Sequence, residues 1–316
     1  MAKNLGPVPA GAGSSMVDET GVIIGTSTTP SSTVPRNSSG TEIGTAAAPA
    51  AVTLYDGASA AFATASNPAT VQNHLISVSR GLISDQSCIN KFGRNAAVTT
   101  SEETVWSAGG LYTGWLTAAI AVRIKAGGDA ADDTAGAGAQ QVTIIGLDEN
   151  WAAASETIAT AGVGVSSATT TTFLRVYRAH VANVGTYGAA NTAAINIETT
   201  AGVVVAQIGI EKGQTQLALY TIPAAKTGYI YEVSASIDGN KQLDVEFWQR
   251  PNADDVTTPF TSKRLWHAFA GLTGSTSRTF TAPRAFAAKT DIWASATALS
   301  GTGGVSARFD VLLIDD

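Results

Sequence analysis

The chain has 316 residues, 44% of them hydrophobic, enough to bury a substantial core in one large or two ordinary domains. Charged residues make up only 14%, well below the roughly 25% of an average soluble domain, while Gly fills 32 positions. The formal net charge of −6 excludes a large basic footprint for nucleic acid or an anionic membrane, because phosphate binding needs clustered Lys and Arg; the balance suits a β-rich structural or binding protein rather than an enzyme.

Residues 1–15 carry one cation followed by small residues and Pro, with no apolar run of signal-peptide length. The longest apolar stretches, such as residues 116–122 and 311–314, fall far short of the roughly 18 needed for a spanning helix. Residues 1–84 read as an extended, low-complexity arm. No aromatic precedes Tyr55, and Gly, Ser, Thr and Pro dominate stretches such as residues 25–34. Such a segment cannot build a core by itself, yet it lacks the charge of a solvated tail. It therefore reads either as an assembly anchor held by a neighbouring subunit or as a linker. Within it, Asn67-Pro68 offers an N-cap and a first-turn proline, and Gly81 a C-terminal stop, so a short helix is predicted between them despite Val71, Ile76 and Val78.

From about residue 85 the hydrophobic period becomes two, placing alternate side chains on opposite faces of a strand. Tyr229, Tyr231, Val233, Ala235 and Ile237 share one predicted face; Leu243, Val245 and Phe247 form another, and Phe309, Val311 and Leu313 a third. Further strands are predicted at residues 141–146, 171–182, 203–210, 217–222, 261–269 and 291–299. Gly-rich turns separate them at 127–129, 185–188, 238–240, 271–274 and 301–304. Short strands joined by such turns, without crossover helices, predict an all-β fold of the β-sandwich or jelly-roll kind. The strand number suggests two sandwiches, residues 85–200 and 201–316, parting in the polar stretch 198–202, with one domain over 85–316 as the alternative.

Cys88 is the sole cysteine, so no intramolecular disulfide or cysteine-based zinc site is expected. His74, His180 and His267 stand apart from any metal-ligand spacing. Residues 164–168 have Ala where a nucleophile elbow needs its second Gly, and the Gly-x-Gly pairs at 136–138 and 162–164 lack the third glycine of a dinucleotide loop. Asp129, Asp132 and Asp133 form the densest acidic group. Their spacing is not that of an EF-hand, so they read first as a solvated hairpin loop and second as a Ca²⁺ loop serving assembly. No catalytic residue, cofactor or resident metal is assigned. Trp248, Trp266, Tyr229 and Tyr231 are the candidate glycan or interface contacts, with core packing as the other reading of these aromatics.

Several strings together resemble a group of virion structural proteins from tailed phages, chiefly marine ones. They are Lys91-Phe92-Gly93-Arg94-Asn95, Glu103-Thr104-Val105-Trp106, Gly109-Gly110-Leu111-Tyr112, Gly146-Leu147-Asp148-Glu149-Asn150-Trp151 and Phe173-Leu174-Arg175-Val176, then Arg178-Ala179, Gly213-Gln214-Thr215, Tyr220-Thr221-Ile222-Pro223-Ala224 and the closing run from Phe309 to Asp315. The resemblance covers roughly residues 85–316 and leaves the arm outside. It implies a β-rich, non-enzymatic particle component and transfers no catalytic residue. The expectation is a capsid decoration or head-fibre-like protein, self-associating as a homotrimer and meeting other virion proteins such as the major capsid or tail proteins; the alternative is a tail-associated adhesin that binds a host surface glycan.

Overall fold

A computed structural model describes residues 74–126 and 128–316. Most of the arm, including the predicted helix cap at Asn67-Pro68, lies outside the described residues. The helix itself is present as α1 (His74–Ser79). It stops at Gly81, whose positive φ of 68° suits a residue without a Cβ; the Gly81 and Leu82 amides bond back to Val78 and Ser77 at 2.9 and 3.0 Å.

The rest of the described residues are all β, in four antiparallel sheets. In the first, β1 (Gln86–Val98), β16 (Gly303–Asp315), β11 (Lys226–Ile237) and β14 (Ser275–Phe286) lie side by side in that order. In the second the order is β10 (Leu219–Thr221), β15 (Asp291–Ala298), β12 (Leu243–Arg250) and β13 (Arg264–Leu272), with β2 (Glu103–Thr104) also on β15. The third runs β6 (Thr172–Phe173), β3 (Ile120–Ala126), β8 (Ile195–Thr199), β9 (Val204–Ile208), and the fourth β5 (Ala153–Ala159), β4 (Ala139–Leu147), β7 (Arg175–Val184).

The pairing is discontinuous in sequence. Strands from 86–104 join strands from 219–315 in the first two sheets, and the strands of 120–208 form the other two between them. Residues 74–316 make one compact unit, and its buried side chains form one contiguous core running from Val98 through Ile144 and Phe247 to Leu313. The boundary anticipated near residue 200 falls between β8 and β9, which pair with each other.

Alternation in β12 and β16 is as read from the sequence: Leu243, Val245 and Phe247 are fully buried, as are Phe309 and Val311. In β11 the single face running from Tyr229 to Ile237 is corrected by the structure. The register shifts between Ile230 and Glu232 on both flanks, so Ile230, Val233 and Ala235 point inward while Tyr229 and Glu232 point outward. The bulge inserts one residue, and with a period of two that moves every side chain before it to the opposite face.

Candidate functional site

A fully enclosed polar centre is built where the inserted strands meet the second sheet. Arg175 opens β7 opposite Leu147 of β4. Next to this pair Gly146 has no room for a Cβ, which would sit 2.0 Å from the Arg175 carbonyl oxygen, so glycine is what lets the two backbones come this close. The Arg175 guanidinium, 1% exposed, reaches into the second sheet. Its Nε and Nη2 donate to Oδ1 and Oδ2 of Asp291 at 2.9 and 3.0 Å, and its Nη1 donates to the carbonyls of Leu116 and Leu174 at 2.7 and 2.8 Å. The Thr221 hydroxyl donates to Asp291 Oδ1 at 2.6 Å, and Arg250 Nη2 donates to Asp291 Oδ2. A fully buried carboxylate thus serves two guanidinium groups and a hydroxyl, the bidentate geometry that favours Arg over Lys.

Aromatic rings enclose this network. Trp115 lies within 5.5 and 5.1 Å of the Arg175 and Arg250 guanidiniums, and Trp151 within 5.1 Å of Arg175. Trp106, Tyr112, Trp115 and Trp293 then follow edge-to-face at 4.9–5.2 Å. Trp151 is positioned by the turn from β4 to β5. There Asp148 Oδ1 accepts the amides of Asn150 and Ala152 at 2.8 and 2.9 Å, and Trp151 itself takes a φ of 61°, an uncommon conformation for a bulky residue. The Tyr112 hydroxyl donates to the Val205 carbonyl at 2.9 Å, and burial pushes its pKa up beyond the ordinary tyrosine range.

Two further buried polar groups lie in β1 and β2. Burial alone would raise the Glu103 carboxyl, but the amides of Gly110 and Thr99, the Thr99 hydroxyl and the Asn95 amide donate to it at 2.8–3.0 Å and hold its pKa low. Lys91, 2% exposed, donates to the Tyr177 carbonyl; burial, helped by nearby Arg178, pushes its pKa well below the ordinary lysine value.

Beside the Arg250 end of the network lies a cavity of about 190 Å³, walled by Trp115, Thr117, Arg250, Asp255, Val256 and Phe260 among others. A second depression of about 250 Å³ shares Thr117 and Val256 with it and continues past Glu149 and Trp151. Arg250 Nε is sealed from solvent and has no acceptor.

The sequence candidates do not converge. Trp248 lies in the second sheet, its Nε1 donating to Ser295 Oγ at 2.9 Å and its ring lying 4.2 Å from the Lys263 ammonium. Trp266 packs on Phe247, Phe280 and Phe286. Tyr229 and Tyr231 lie on β11, where burial pushes the Tyr231 phenol up to about 12. The acidic group is taken apart as well. Asp132 is fully buried, with its oxygens accepting the amides of Ala139, Thr192 and Ala193 at 2.8–3.0 Å. Asp129 accepts the Ala131 amide and Asp133 the Thr134 hydroxyl, so both carboxylates bond to groups within their own loop. Among the described residues no three metal-ligating side chains gather. The Arg175–Asp291–Arg250 network was not anticipated as a unit; the only sequence signals were an arginine inside the apolar run Phe173-Leu174-Arg175-Val176 and an aspartate opening β15.

No protein-family model matches the chain, and no curated protein matches it. Among solved structures it is similar to a chain in the structure of infectious bursal disease virus, Gt strain, at 9% identity and a TM-score of 0.22 over 72% of this chain and 70% of that one. A second similarity is to a mutant VP2 protein of infectious bursal disease virus in derived T=1 particles, at 8% identity and a TM-score of 0.16 over 73% and 74%. Overlap this small does not establish a shared fold.

Proposed function

We propose that this chain is a non-enzymatic structural component of a tailed-phage virion, mounted on the head as a decoration or head-fibre-like protein. In this reading it assembles as a homotrimer, and the segment before β1 anchors it to a major capsid protein or another virion protein. The observation that carries the reading is where the virion-like strings lie. Lys91-Phe92-Gly93-Arg94-Asn95 is the middle of β1, Glu103 to Tyr112 closes around the Glu103 carboxylate, and Gly146 to Trp151 makes the turn that carries Trp151. Phe173 to Val176 and Tyr220 to Ala224 supply Arg175 and Thr221 to Asp291, and the final run is β16. The resemblance thus falls on residues that tie the inserted strands to the first two sheets and hold the one core together.

The test is immunogold electron microscopy of purified particles with antibody to this chain, followed by incorporation of a variant lacking residues 1–73. Gold over the head, with folded truncated protein that no longer joins particles, is expected. Gold at the tail moves the reading to the adhesin alternative. Unlabelled particles, or normal incorporation of the truncated protein, reject the head-anchored role.

A further inference from the structure

We propose that the cavity beside Arg250 is a saccharide-binding site that accepts one sugar ring, with room for a second along the adjoining depression. At about 190 Å³ the cavity is smaller than the ~300–1,000 Å³ that drug-sized ligands occupy, which sets the scale at a single ring. Its walls combine the three features a hydroxyl-rich ring requires. Apolar surface comes from Trp115, Val256 and Phe260, and the last two are left 45% and 58% exposed, a cost that an apolar sugar face would relieve. A donor comes from Arg250, which lines the cavity with a side chain that is 28% exposed and commits its Nη2 to Asp291, so the outward N–H groups of its guanidinium meet a ligand oxygen. An acceptor comes from Asp255, whose Oδ1 takes only the Thr257 amide at 3.3 Å.

Charge selects against a simple anion. Asp291 serves both arginines, and Asp255 on the wall offsets the remaining positive charge, so an uncharged ligand with both donors and acceptors fits better. The adjoining depression, entered past Thr117 and Val256, presents Glu149 and Trp151 to a second ring. The guanidinium is held by Asp291 before any ligand arrives, so its side of the site is preorganised and little ordering is required on binding. This inference concerns binding by the isolated chain and stands or falls independently of where the protein sits on a particle.

The experiment is saturation-transfer NMR with titration on the full chain, using the methyl glycosides of glucose, galactose, mannose and N-acetylglucosamine as probes. At least one is expected to bind saturably, with Kd on the order of 1–10 mM. Phe260→Ala and Asp255→Asn, both at solvent-facing positions, should each weaken it at least tenfold with circular dichroism unchanged, while Tyr187→Ala, at a fully exposed residue outside the cavity, should not change it. The proposal is overturned if none of the four glycosides binds, or if binding persists unchanged in Phe260→Ala and Asp255→Asn.

Discussion

Replacing Asp291 by Asn tests the buried network most directly. The substitution keeps the volume but turns one acceptor oxygen into an amide donor facing a guanidinium. Arg250 can turn toward solvent, since its side chain is 28% exposed, but Arg175 at 1% cannot, so the penalty concentrates on Arg175. Breaking a buried pair by removing one partner costs about 3–5 kcal/mol, because a charge is left uncompensated inside the protein. For a body of this size that corresponds to a Tm lower by about 6–20 °C, and to a urea midpoint lower by about 1–2 M with unchanged m. Arg175→Met combined with Asp291→Asn removes the stranded charge, so the double variant should recover much of the loss, and the two substitutions should be strongly non-additive. The measurement is urea unfolding followed by tryptophan fluorescence, to which Trp115 and Trp151 contribute among the chain's six tryptophans. A cost below about 1 kcal/mol for Asp291→Asn, or a double variant no more stable than the single one, would refute the assignment of this network as a principal tie between the inserted strands and the second sheet.

Two further outcomes follow from the packing and the charges. Gly93→Ala would place a Cβ 2.1 Å from the Val105 carbonyl oxygen and 2.3 Å from the Ala218 amide nitrogen. It should cost about 3 kcal/mol by urea unfolding, whereas Gly274→Ala, with nothing within 4 Å, should change stability by less than about 0.5 kcal/mol. Lys91 has a folded pKa below its unfolded value, so the unfolded chain binds more protons between the two, and stability rises with pH until the unfolded lysine near 10.5 loses its proton. Lys91→Met should flatten that rise on the alkaline side, up to about pH 10.5; an unchanged slope in the urea midpoint would show that Lys91 is charged and paired in the native state.

The alternating runs of β12 and β16 were legible because each strand is buried on one side and each apolar position repeats every second residue. The misreading at β11 has a definite cause: a bulge adds one residue at Tyr231, invisible to a period-two pattern that happens to continue with aromatic side chains. The edge strand β14 was not predicted, since Ser275–Phe286 is exposed along most of its length and includes Pro283, so no face has to be apolar. The four aromatic candidates stand out by residue type and by their clustering in the C-terminal half of the sequence. Type does not report direction, and Trp266 turns inward against Phe286 while Trp248 lies under Lys263. Phe260, which meets Arg250 at the cavity, carries no signal because the loop between β12 and β13 has no period, and Arg250 ends β12 beyond its alternating apolar run.

From its sequence alone the chain determined its class: all β, with turns at its glycines. These are local properties, readable within ten residues. Tertiary structure decided which strands pair, that residues 120–208 are inserted between strands of the first two sheets, and that Arg175 meets an aspartate 116 positions away. Such contacts depend on closing long loops against chain entropy, and on burying charges only where a partner is already in place. Neither condition is written into the spacing of neighbouring residues.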